Sequence, residues 1–196
     1  MEVIFNQSEQ HLVRLCKKGD AKAQYKLYKL YSKGMYNLAV RMTNNQSMAE
    51  DVLQDAFIKA FGEINKLKNE KAFGGWLRRI VANLCIDASR KKKLFLTDME
   101  SLNESELEES VEVDDTVEPE QIHALIKKLP DGAREILVLR ALEGYKHAEI
   151  GEQLGISEST AKTQFFRAKQ LLAKMINELN DEERSGKNIT GEAIKA

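Results

Sequence analysis

The chain has 196 residues, 31% of them charged, with a net charge of −1 and only two prolines. That length suits one medium domain or two small ones. No apolar run approaches the ~18 residues of a membrane span, and the opening "MEVIFNQSEQHLVRL" lacks the basic start and apolar core of a secretion signal.

The small net charge conceals a segregation. Residues 1–93 carry 18 Lys+Arg against nine Asp+Glu, residues 94–120 carry 11 acids and no base, and residues 121–196 carry 12 against 11. Two blocks of opposite sign therefore adjoin, which the whole-chain pI does not show. Leu, Ile, Ala, Lys and Glu dominate, which favours helix over strand. The expected fold is all-α: two small helical domains joined by an acidic flexible linker, the C-terminal one a helix-turn-helix.

In the first domain, 1–93, helices are expected at about 8–17, 20–43, 47–64 and 71–92. Asp20 and Ser47 suit the caps of the second and third, because their side chains can accept from free backbone N–H groups. Asn44-Asn45 suits the turn between those helices. Gly74-Gly75 weakens the start of the last segment and predicts a true beginning at Trp76. Cys16 and Cys85 lack CxxC spacing and read as buried thiols of a reducing cytoplasm.

Helix 47–64 buries Ala49, Val52, Leu53, Ala56, Phe57 and Ala60. It displays Asp51, Gln54, Asp55 and Ile58. Carboxylates one turn apart repel, and an isoleucine beside them gains nothing in water. A solvated face is the plain reading; a protein-docking face explains the mixture better. On the last helix, Leu77, Ile80, Val81, Leu84 and Ala88 form the expected buried stripe. Arg79, Asn83, Ile86 and Arg90 lie opposite, with Trp76 at the edge and "RKKK" (90–93) at the end. Asn can read adenine and Arg can meet guanine or phosphate, while Trp76 and Phe73 could stack on an unpaired base. The competing reading is a basic helix terminus satisfying its own dipole.

Residues 94–118 have no sustained apolar period, and their like charges repel, so they read as a linker. The second domain, 119–180, begins with "EQIHALIKKLP", a short helix stopped by Pro130. "DGAREILVLRALEG" follows, with Asp131 as cap and Gly144 as terminator. Helix 146–154 then ends at Gly155, a residue suited to left-handed backbone. Ile156 turns inward and Ser157 caps the final helix. Ala161, Phe165, Ala168 and Leu172 share its buried stripe. Ser159, Thr163, Phe166, Arg167 and Gln170 face away, flanked by Thr160, Lys162 and Lys169. Short polar groups near a helix N-terminus, backed by Arg and Lys, fit the major groove. Residues 181–196 read as a polar, fraying tail.

His11, His123 and His147 are scattered, with no phosphate loop, metal spacing or paired acid and base. No enzyme, cofactor or metal is expected.

Taken together, these stretches resemble a bacterial sigma factor of the sigma-70 family, extracytoplasmic-function (ECF) group. "AEDVLQDAFIKAF" is similar to the region 2 helix that docks on the polymerase clamp. "FGGWLRRIVANLCIDASRKKK" is similar to the promoter-melting and −10 segment. "LPDGAREILVLRALEGYKHAEIGEQLGISESTAKTQFFRAKQLL" is similar to region 4, which reads the −35 element. The resemblance implies core polymerase binding by Asp51, Gln54, Asp55 and Ile58. It implies a loop at 65–75 holding a flipped base, and −10 contacts from Trp76, Arg79, Asn83, Arg90 and Lys91. It implies −35 contacts from Ser159, Thr160, Lys162, Thr163, Gln164, Arg167 and Lys169. An anti-sigma factor is the implied regulator, and the cytoplasm the implied location. The family often has Gly-Thr-Val-Lys-Ser-Arg where this chain has "STAKTQ" (159–164), so Gln164 stands in place of an arginine. A helix-turn-helix regulator acting on duplex DNA without polymerase would account for 121–178 alone. A helical adaptor would leave both basic faces unexplained.

Overall fold

The computed structural model describes the backbone of residues 2–95 and 118–192, and the side chains of 9–90, 118 and 121–181. Contacts divide the chain into two units, Met1–Asp98 and Met99–Ala196. Every regular element among the described residues is helical. The segment expected to be a linker falls mostly on 96–117, outside the described residues.

The first unit contains α1 (Glu2–Lys17), α2 (Ala21–Thr43), α3 (Gln46–Glu63) and α4 (Phe73–Phe95). Asp20 caps α2 as expected, its carboxylate accepting the Ala23 N–H at 2.9 Å. Asn44 takes left-handed backbone at φ 50° and closes α2. Its neighbour Asn45, rather than Ser47, caps α3 by accepting the Met48 N–H at 2.9 Å. Two residues, Asn44 and Asn45, suffice for the turn because asparagine tolerates the left-handed region.

Helix α4 begins at Phe73, three residues before the expected start at Trp76. Gly74 and Gly75 are tolerated there because Phe73 is wholly buried and anchors the first turn. Helix α3 packs on α2 and α4, and α2 also packs on α1 and α4. Leu27, Leu38, Met42, Ala56, Phe73, Leu77 and Val81 are 0–1% exposed. Each large one contributes about 1.5–3 kcal/mol by leaving water. Both cysteines are buried and neither is in a disulfide; burial, then the Asp20 carboxylate, pushes the Cys16 thiol up to about 11.

The second unit contains α5 (Pro119–Lys128), α6 (Asp131–Leu137), α7 (His147–Leu154) and α8 (Glu158–Glu192). Helix α6 widens into a π turn at Val138–Leu142, closed by the Glu143 N–H on the Val138 carbonyl at 3.0 Å. Gly144 follows at φ 73° and ends the run. Asp131 is not the cap of α6 but its first residue. Its carboxylate accepts instead from the guanidinium of buried Arg134, which also donates to the Leu129 carbonyl at 2.8 Å. Helices α5, α6 and α7 pack on α8 around Leu125, Leu137, Leu139, Ile150, Ala161 and Ala168. The backbone of α8 continues to Glu192, where a fraying tail was expected from 181; the stretch contains no proline to interrupt it.

Candidate docking and nucleic-acid interfaces

Three exposed surfaces emerge, two on the first unit and one on the second. On α3, Asp51, Gln54, Asp55 and Ile58 are all exposed, and their spacing of three, one and three aligns them in one row. Ile58 is 64% exposed, the most open of the large apolar side chains described. Behind the row, Ala49, Val52, Ala56, Phe57 and Ala60 are buried as the pattern predicts, while Leu53, expected with them, is half-buried. Tyr28 of α2, 40% exposed, meets the Phe57 ring edge-on at 4.8 Å and adds an aromatic neighbour. The sequence reading missed it because the exposure of Tyr28 depends on where α3 crosses α2.

The segment between α3 and α4 consists of two 3-10 turns, Ile64–Lys66 and Glu70–Ala72. It spans 64–72, because 73–75 already belong to α4. Ile64 and Leu67 point inward, while Asn65, Lys66, Lys68, Asn69 and Lys71 are exposed. Asn69 shapes the second turn by accepting the Lys71 N–H at 3.0 Å.

On α4, Arg79, Asn83 and Arg90 are exposed and share a row. Trp76 is half-buried, its ring 6.1 Å from that of Phe73. Lys91 lies on the helix, but its side chain is outside the described residues. Leu84 and Ala88, expected in the buried stripe, are half-buried, and two further expectations are corrected. Phe73 is 0% exposed and cannot stack on a base, because its ring packs edge-on against Tyr31 at 5.4 Å. Ile86 is 2% exposed rather than displayed. Packing on both α2 and α3 covers more than one stripe of α4, and buries Ala82 and Ile86 together. Asp87 stands exposed between Asn83 and Arg90 instead.

In the second unit the helix, turn and helix lie where expected; of the expected inward residues Ala161 and Ala168 are buried, whereas Ile156, Phe165 and Leu172 are only half-buried. Gly155 ends α7 at φ 69°. Ser157 caps α8, its hydroxyl accepting the Thr160 N–H at 3.0 Å. The same hydroxyl lies 2.8 Å from the hydroxyls of both Ser159 and Thr160, and the Thr163 hydroxyl donates to the Ser159 carbonyl at 3.0 Å. These bonds restrict the rotamers of the short polar side chains at the front of α8. Ser159, Thr160, Lys162, Thr163 and Lys169 are exposed; Gln164 and Arg167 are half-buried. At 100° per residue, Gln164 sits on the rim, toward Ala161 and Ala168. Phe166 is 46% exposed near the centre of the face, beside Ser159 and Thr163. An exposed phenylalanine suits apolar contact with a thymine methyl. Sequence position placed it on this face, but its aromatic character kept it off the expected contacts.

Comparison with known proteins follows the same division. The family model described as Sigma-70 region 2 matches residues 27–95, and that of Sigma-70, region 4 matches residues 119–172. The ECF RNA polymerase sigma factor SigW of Bacillus subtilis is 35% identical over 179 residues, covering 85% of this chain and 96% of that protein. SigM of the same organism, another ECF sigma factor, is 31% identical over 159 residues, covering 80% and 97%. In fold, the chain is similar to the sigma factor RpoE of Bartonella quintana, solved in complex with the anti-sigma factor NepR. That likeness has a TM-score of 0.53 and 18% identity, and covers 78% of this chain and 96% of that one.

Proposed function

The chain belongs to the extracytoplasmic-function group of sigma-70 factors, and from that premise we propose how its exposed faces divide the work of promoter-directed initiation by RNA polymerase. The observation that carries the reading is that both family regions occur in order on one chain, each with an exposed polar face on a packed helical unit. A regulator acting on duplex DNA without polymerase would leave the whole first unit without a task.

The row Asp51, Gln54, Asp55 and Ile58 docks on the clamp of core polymerase. Its carboxylates steer the approach to a basic partner, and Ile58 supplies apolar area that leaves water on contact. The loop at 64–72 holds a base flipped from the opened −10 element. Flipping costs a few kcal/mol of stacking, which a pocket with lysines beside it offsets. Trp76, Arg79, Asn83, Arg90 and Lys91 line the path of the −10 DNA. On the second unit, Ser159, Thr163 and Phe166 face base edges of the −35 element. Thr160, Lys162, Gln164, Arg167 and Lys169 flank them on the phosphates and groove walls. In this assignment residues 1–93 serve as region 2, 94–118 as the linker, 119–180 as region 4, and 181–196 as a tail without a DNA role.

An anti-sigma factor is the partner expected to hold the protein inactive by covering these faces. The protein works in the cytoplasm, where polymerase is, and no described helix is long and apolar enough to cross a membrane. It performs no catalysis of its own; polymerase does the chemistry. Transcription from a cognate promoter with purified core polymerase tests the whole reading. Promoter-specific initiation supports it, whereas duplex binding without initiation would transfer the chain to the polymerase-free regulators.

A further inference from the structure

Helix α1 lies ahead of residue 27, where the region 2 match begins, yet its last residue grips the middle of the 64–72 loop. Lys17, the last residue of α1, donates from Nζ to the Leu67 carbonyl at 2.7 Å and to Glu70 Oε1 at 2.8 Å. Neither side chain is freely solvated, at 22% and 27% exposed. The Glu70 carboxyl is held below the usual range, first by the Lys17 hydrogen bond and then by its own backbone; the Lys17 and Arg14 charges add to this. Beyond the loop, Tyr31 of α2 donates its hydroxyl to the Glu9 carboxylate of α1. A Cβ on Gly74 would stand 2.9 Å from the Tyr31 ring, so the start of α4 is seated against that tyrosine.

We propose that α1 braces the base-holding loop, and that Lys17 is a positioning residue for discrimination at the flipped −10 base. The inference rests on 64–72 being that loop. Ile64 and Leu67 set the loop's depth through apolar burial, which is non-directional. The charge-assisted bonds of Lys17 are directional and fix how the exposed backbone and side chains are turned. A recognition pocket needs its groups within about 0.5 Å of their working positions.

A second effect runs through charge. Glu70 is the one carboxylate in residues 64–75. Turned toward Lys17, it is engaged away from Lys68 and Lys71, which are exposed and free to meet phosphate. Lys66 has its own ion pair with Glu63 at 3.3 Å.

The test uses the full chain with core polymerase and measures opening of promoters carrying each of the four bases at the flipped position. Lys17→Met should lower the preference for the cognate base by about tenfold, while core-polymerase affinity and −35 duplex affinity stay within about twofold. Lys17→Arg, which can renew both bonds, should keep most of the preference. A wild-type preference in Lys17→Met, or a fall that merely tracks core affinity, overturns the brace. Should that variant not fold, Glu70→Gln serves instead. It leaves the Leu67 bond in place and should lower the preference by about threefold; no change there also overturns the proposal. Replacing 68–71 by Gly and Ser separates the two ideas. If the preference survives that replacement, the loop assignment fails and the brace with it. If the replacement abolishes the preference and Lys17→Met does not, the brace alone fails.

Discussion

A Cβ on Gly151 would stand 2.8 Å from the carbonyl oxygen of Ile156 and 3.3 Å from the backbone nitrogen of Glu158. The turn between α7 and α8 therefore rests on the bare backbone of α7. The Gly151 carbonyl completes the contact by accepting the Ile156 N–H at 2.9 Å. Glycine inside a helix ordinarily costs about 1 kcal/mol against alanine. Here the sign reverses, because backbone on both sides cannot swing aside. Gly151→Ala should destabilise the second unit by about 1–3 kcal/mol and weaken −35 duplex binding. Core-polymerase binding through the first unit should be preserved. Thermal unfolding and duplex titration check this, and a variant as stable as wild type would mean the turn yields.

Asp51 and Asp55 lie one turn apart on the exposed face of α3 and touch nothing in the core. Changing both to Lys keeps the count of like charges on that turn, so helix stability should move by only a few tenths of a kcal/mol. Core-polymerase affinity should fall by at least about tenfold, chiefly in the association rate, because steering is reversed. Circular dichroism and association kinetics at two salt concentrations separate the two effects. Wild-type binding by the double variant would remove this row from the docking surface.

The α3 row and the two-helix motif were legible in sequence for a common reason. Each is fixed by local periodicity and one or two caps: Ser157, Gly155 and the run from Ala49 to Ala60. Helix α4 was harder to read. Phe73, Ala82 and Ile86 are buried because α4 is flanked by α2 and α3 together, and a single-stripe pattern cannot anticipate burial on two sides. The grip of Lys17 on Leu67 and Glu70 spans 50 and 53 residues. No spacing rule reaches that far, and a terminal helix lysine reads by default as a dipole partner.

Arg167 is half-buried at the side of the α8 face, so its stem packs while its head reaches outward. Arg167→Ala should weaken −35 duplex binding by about tenfold and leave opening of a pre-melted −10 template nearly unchanged. If its partner is a phosphate, the loss should be uniform across −35 sequences, with the salt slope reduced by about one. If its partner is a guanine, the loss should concentrate at one base pair. Equal damage to both promoter elements would mean that the substitution acts on the fold rather than on recognition.

Asp87 makes the strongest demand on the −10 assignment. It is exposed four residues after Asn83 and three before Arg90, so a carboxylate interrupts a row otherwise suited to DNA. An anion facing phosphates opposes binding, and the penalty is screened as salt rises, the Debye length falling from about 10 Å at 0.1 M to about 3 Å at 1 M. If Arg79, Asn83 and Arg90 follow the −10 DNA, Asp87→Asn should tighten binding of the polymerase complex to forked −10 DNA by about threefold near 0.1 M salt. The gain should vanish toward 1 M, and core-polymerase affinity should not move. An Asp87→Asn complex with wild-type affinity at low salt would place the DNA elsewhere on the first unit, leaving Arg79 and Arg90 as ordinary surface charges.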